Sequence, residues 1–147
     1  MQQFVNEEAV GLYRLVYDSV MLLPFGREGD TEIQAILDVA RIRNAELAIT
    51  GVLYCDGAYF VQLLEGRADA VEAVFASILA DERHHDVRVV ERGPAERRWF
   101  TGWHMAWVSH EHLVEMRRRK PDYPTLRPYR SSELILALNE VLSPQPF

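Results

Sequence analysis

Alternating apolar and polar side chains first appear in LYRLVYDS, Leu12 to Ser19, where Tyr13, Leu15, Tyr17 and Ser19 share one side of an extended chain. This predicts a first strand. After the Pro- and Gly-containing loop PFGREGD the period changes: Ile33, Ile36, Leu37 and Ala40 recur at helical spacing, and the same face reaches Asn44. A Thr-x-x-Gln pattern, Thr31 to Gln34, predicts where that helix begins. LAITGVLYC and AYFVQLLEG read as two strands joined at Asp56-Gly57, a strong hairpin-turn signal. Asp69, with Glu72 three residues on, opens a second helix whose apolar face carries Val71, Val74, Phe75 and Ile78. VRVVERG and GWHMAWV supply a fourth and a fifth strand, the last with Trp103, Met105 and Trp107 on one face.

The order β-α-β-β-α-β-β describes an α+β, ferredoxin-like sheet with two helices on one face and an added edge strand. Residues 11–108 form this domain. Residues 109–147 form a C-terminal extension with one helix from Ser109 and another from Ser131 or Ser132, the latter with Leu134, Ala137, Leu138 and Val141 at helical spacing. The sheet face without the first two helices is free to receive it. The basic run Arg117–Lys120 ends the first of these helices, where cations complement the dipole, and Pro121 stops it. The opening residues MQQFVNEEAV stay unassigned.

At 147 residues the chain fits one domain with one core. A single cysteine, Cys55, excludes an internal disulfide, and no basic-then-apolar leader opens the chain, so a cytoplasmic setting is expected. Apolar runs such as VMLLPF and LILAL fall far short of the roughly 18 residues that span a bilayer. A net charge of −6 argues against a general nucleic-acid surface.

Side-chain catalysis is not visible. Cys55 lacks a local His partner, adjacent His84 and His85 lack zinc-site spacing, and no GxGxxG or GxxxxGK loop occurs. Gln62 is the conspicuous polar group, flanked by Phe60 and Leu64 on one face of a central strand. A buried amide without partners costs about 1–3 kcal/mol, so structural and ligand-binding roles both stay open. Asn44 reads equally as a helix C-cap, and Tyr17 as a core tyrosine. Trp103 and Met105 suit a core, and Asp81, His84 and His85 suit a helix end.

The set RLVYDS, RNAELAITGVLYCDGAYFVQLLEG, DERHHDV and RRWFTGWHMAW, in this order and spacing, resembles the BLUF family of blue-light sensors that use FAD, over roughly Tyr13 to Val108. The resemblance implies an isoalloxazine ring between the two helices. It makes Tyr17 the light-driven electron donor, hydrogen-bonded to Gln62, which bridges to the flavin's N5 and O4 edge. Asn44 holds the other polar edge, Asp81 and His84 match further cofactor-binding positions, and Trp103 and Met105 form the output side. Two positions depart from the pattern: Ser77 stands where many relatives carry a basic residue, and Arg43 where an amide or His is frequent.

The expected function is therefore a short blue-light sensor, not an enzyme, that signals to an unidentified downstream protein by contact, with no nucleic-acid or membrane partner. Homodimerisation is expected from the pairing of a small sheet through its free face. A non-photochemical ferredoxin-like regulator would be colourless even after flavin is added. A small flavin redox enzyme would consume NAD(P)H in the dark.

Overall fold

The structure, a computed structural model, describes residues 11–22, 27–55, 59–102 and 104–108, with 115 and 118. β1 (Leu12–Met21) leads to α1 (Arg27–Glu46), the strands β2 (Thr50–Cys55) and β3 (Tyr59–Arg67), α2 (Ala68–Leu79), β4 (His84–Pro94) and β5 (Ala106–Val108). The sheet order is β4-β1-β3-β2-β5. β1 pairs antiparallel with β3 and β4, β2 antiparallel with β3, and β5 parallel to β2. This is the ferredoxin-like arrangement expected, with an added edge strand.

The alternation in β1 and β3 divides two cores. Leu15, Tyr17, Phe60 and Leu64 meet Ile33 and Leu37 of α1 and Val71, Val74 and Phe75 of α2. Val16, Val61 and Leu63 face the other way, with Val52, Tyr54 and Phe100. Gly51 lies where β2 and β3 approach so closely that a Cβ would stand 1.9 Å from the Leu63 carbonyl oxygen, so no other residue fits without backbone movement.

Several boundaries differ from those read in the sequence. α1 begins at Arg27, not Thr31; Thr31 lies inside the helix and its hydroxyl donates to the Arg27 carbonyl. Glu28 and Asp30 complement the dipole in the true first turn. α2 begins at Ala68 with Arg67 at the cap position, and Asp69 accepts from the amide of Ala70 instead of capping. β4 starts at His84, three residues earlier than predicted, and its pairing with β1 contains register shifts; Asp86 there adopts φ 53°, which Asp tolerates.

The fifth strand is shorter than GWHMAWV predicts, and the reason is specific. The carbonyls of His104 and Met105 accept from the side chains of Asn44 and Arg41 at 2.8 and 3.0 Å, which draws this stretch to α1 before the ladder begins. The Asp56-Gly57 turn and the two predicted C-terminal helices lie outside the described residues. Among the described residues no helix is long and apolar enough to cross a membrane.

Candidate functional site

Helical periodicity places Ile36, Val39, Ala40 and Arg43 along one side of a cleft of about 330 Å³ between the two helices. Ser77 and Ile78 of α2 form the facing wall, with Asp81, Arg83 and His84 beyond the helix end. The sheet supplies the floor. Tyr17 on β1 is directly opposite Gln62 on β3, which is opposite Leu53 on β2, so one transverse row carries all three into the cleft.

Within that row the Tyr17 hydroxyl donates to Gln62 Oε1. Gln62 Nε2 donates to Met105 Sδ at 3.5 Å, a soft acceptor, and among the described residues it has no stronger one. All three side chains are buried. Burial, reinforced by the Asp81 carboxylate, pushes the Tyr17 phenol far above its ordinary pKa, while the Arg43 cation acts in the opposite sense. Tyr17 is thus held as a protonated donor. Phe75 packs against its ring at 5.5 Å between centroids, and His84 meets it edge-on at 6.1 Å.

His84 is fixed by both nitrogens. Nε2 donates to the Ile78 carbonyl at 2.7 Å, since a carbonyl can only accept, and Nδ1 pairs with the Ser19 hydroxyl at 2.7 Å. Asp81 is bound by Arg83 through its guanidinium at 2.6 Å and its backbone amide at 2.9 Å, and this pairing lowers the Asp81 pKa. Asn44 is fully buried and is not among the side chains lining the cleft: Nδ2 donates to the His104 carbonyl, and Oδ1 accepts from Arg43 Nε at 3.3 Å.

The structure therefore brings Tyr17, Gln62 and Met105 into one hydrogen-bonded chain, with Asp81 and His84 on the cleft wall and Asn44 adjoining it. Trp103 lies outside the described residues. Arg41 and His104 were missed in the sequence. Arg41 precedes Asn44 by three residues, so helical spacing puts both on one side, but nothing local marks that side as facing β5. His104 Nδ1 lies 2.9 Å from the Ile49 carbonyl and adds a third tie at the same place. The Trp107 indole N–H is buried and meets no acceptor among the described residues.

The chain as a whole has counterparts among known proteins. The family described as "Sensors of blue-light using FAD" matches residues 12–106. The photoactivated adenylate cyclase subunit beta of Euglena gracilis is 36% identical over 101 residues, 68% of this chain but 12% of that protein. The blue light- and temperature-regulated antirepressor BluF of Escherichia coli is 32% identical over 68 residues, 45% of this chain and 17% of that protein. The chain therefore spans only a small part of the curated relatives it matches. Among solved structures, the dark state of the BLUF protein BlrB covers 90% of this chain and 98% of its own, with a TM-score of 0.77 and 32% identity. Klebsiella pneumoniae BlrP1 matches at a TM-score of 0.64 and 29% identity, over 88% of this chain and 33% of its own. Taken with the sheet order and the cleft, the match over residues 12–106 means that the chain belongs to the BLUF family of blue-light sensors.

Proposed function

We propose that this blue-light sensor holds FAD between α1 and α2 and reads illumination through Tyr17, Gln62 and Met105. The observation that carries the proposal is the Gln62 amide, whose oxygen is committed to Tyr17 while its NH2 group, among the described residues, meets only a thioether. The residues fit a flavin. Ile36, Val39, Leu53, Phe60 and Ile78 offer apolar surface to a flat ring, and Gln62 and Arg43 offer donors to its polar edge. A bound flavin supplies the blue-light absorption and, once excited, takes up an electron.

Tyr17 keeps its proton in the dark because burial disfavours the phenolate. Loss of an electron makes the phenol strongly acidic, and its proton then has one short path, to Gln62 Oε1. The amide can answer by rotating or by taking its imidic form, because either change exchanges which of its ends donates. Either one also alters its bond to Met105, the weakest link in the chain and the one nearest β5. In a dry interior such an exchange shifts the local field more than it would in water.

Asp81 and His84 define the α2 end of the site in this reading, and Asn44 ties its α1 end to the segment before β5. Trp103 and Met105 carry the change outward, through β5 and residues 109–147, to a protein partner. A second copy of the chain is the expected assembly. FAD is the cofactor that the family description names.

The test is the absorption spectrum of FAD-loaded protein before and after a blue pulse. A reversible red shift is expected in the native chain and is absent from Tyr17→Phe and Gln62→Leu proteins that still hold flavin. An unchanged shift in either variant refutes the relay.

A further inference from the structure

Tyr17 and Gln62 are held in place by paired strands, but Met105, the third member of the polar chain, lies in the irregular stretch just before β5. A methionine side chain is unbranched and flexible, so its sulfur goes where the backbone aims it. Two donors of α1 supply that aim. Asn44 Nδ2 holds the His104 carbonyl at 2.8 Å, and Arg41 Nε holds the Met105 carbonyl at 3.0 Å. These carbonyls belong to the two planar peptide groups on either side of the Met105 Cα, and each plane turns only about its bond to that atom. Fixing both planes fixes φ and ψ of Met105. The direction of its side chain toward Gln62, whose Nε2 meets Sδ at 3.5 Å, follows from them. Arg41 is half-buried and is not among the side chains lining the cleft, so its bond reaches the site through Met105. A hydrogen bond from a cation is the stronger kind.

We infer that Arg41 is a positioning residue of the light switch: it keeps the Met105 sulfur within reach of Gln62 and thereby sets how fast the dark hydrogen bonds return after illumination. The inference rests on the flavin-binding reading above. While the Gln62 amide is turned away from Met105, the peptide between Met105 and Ala106 stays on α1, and the sulfur stands ready to accept again. Without the guanidinium that peptide is free to turn, and the return waits on the main chain.

The experiment takes two readings on native protein, Arg41→Gln and Arg41→Lys, each loaded with FAD. One is the rate at which the red-shifted absorption decays in darkness after a blue pulse. The other is the dark NMR spectrum of protein carrying carbon-13 in its methionine methyls, with the signals of Met105 and Met21 assigned by replacing each with Leu. Arg41→Gln should slow the decay about tenfold, the weight of one hydrogen bond from a cation, and should displace the Met105 signal while leaving that of Met21 in place. Arg41→Lys keeps a cationic donor and should stay close to native in both readings. A Gln protein that decays at the native rate or faster overturns the inference, and so does a slowed decay with the Met105 signal unmoved. A Lys protein as slow as Gln overturns it too, as does loss of FAD from the Gln protein, which would put Arg41 in the cofactor site. A native chain that takes up no FAD, or holds it without a red shift, overturns the flavin reading itself and this inference with it.

Discussion

Replacing Asn44 by Ala should loosen β5 selectively. Asn44 is fully buried, and its Nδ2 is the donor to the His104 carbonyl at 2.8 Å. Truncation leaves that carbonyl without its partner, at a cost of about 1–3 kcal/mol. β5 has little to absorb the loss: among the described residues it pairs with β2 only at Ala106, Trp107 and Val108 and has no strand on its outer side. Among the described residues, the other side-chain ties on this segment are the Arg41 bond to the Met105 carbonyl, the His104 ring on the Ile49 carbonyl and the weak bond from Gln62 to the Met105 sulfur. If the full cost appears as easier local opening, amide exchange in Ala106–Val108 should accelerate about 5- to 150-fold. Hydrogen exchange followed by mass spectrometry measures this directly, with the β1 and β3 amides as the internal reference. β5 amides that exchange at the native rate, or that accelerate only in step with β1 and β3, would refute the idea that α1 holds this edge of the sheet.

Two further perturbations test the scaffold. Gly51→Ala forces a Cβ to within 1.9 Å of the Leu63 carbonyl oxygen, so β2 and β3 must separate; a loss of about 1–3 kcal/mol or more is expected in a denaturant melt, and an unchanged midpoint would contradict the close approach. Glu72 accepts from Arg92 and the Tyr13 hydroxyl, which lower its pKa from 4.5 to about 2. Because the folded-state value is depressed, its contribution is complete above pH 4.5 and is lost as the pH falls toward 2. The thermal stability gap between native protein and Glu72→Gln should therefore close over that window, and it should be small because the pair is partly exposed. A gap independent of pH would exclude the charge as its source.

Residues whose neighbours follow from local period were legible in the sequence. Alternation puts Tyr17 on one face with Leu15 and Gln62 on one face with Phe60 and Leu64; that these faces are the helix-covered one, and that the two side chains stand opposite one another, comes from the pairing of β1 with β3 and the packing of the helices. Asn44 was found because it closes the stripe of Ile33, Leu37 and Ala40. The helix starts were less legible, since Thr31 and Asp69 carry capping side chains but sit inside their helices. The shortened β5 could not be read at all: its first carbonyls are taken by Arg41 and Asn44, some 60 residues earlier, and no local pattern records a contact at that separation. Arg43 departs from the family pattern in the sequence, but that it bonds Asn44 while the Asp81 carboxylate is engaged by Arg83 is visible only in the structure.

β4 and β5 lie at opposite edges of the five-stranded sheet, about 19 Å apart at ordinary strand spacing. The chain between them passes the buried Glu65 carboxylate of β3, which accepts the backbone amides of Trp99 and Phe100. Arg14 bonds the same carboxylate and lies 3.7 Å above the Trp99 ring, while Arg98 reaches Thr50 and the carbonyls of Ala48 and Glu65. Mechanically this is a clamp at mid-span. It fixes the chain at Trp99 and Phe100, a few residues before Met105, to the middle strand of the sheet.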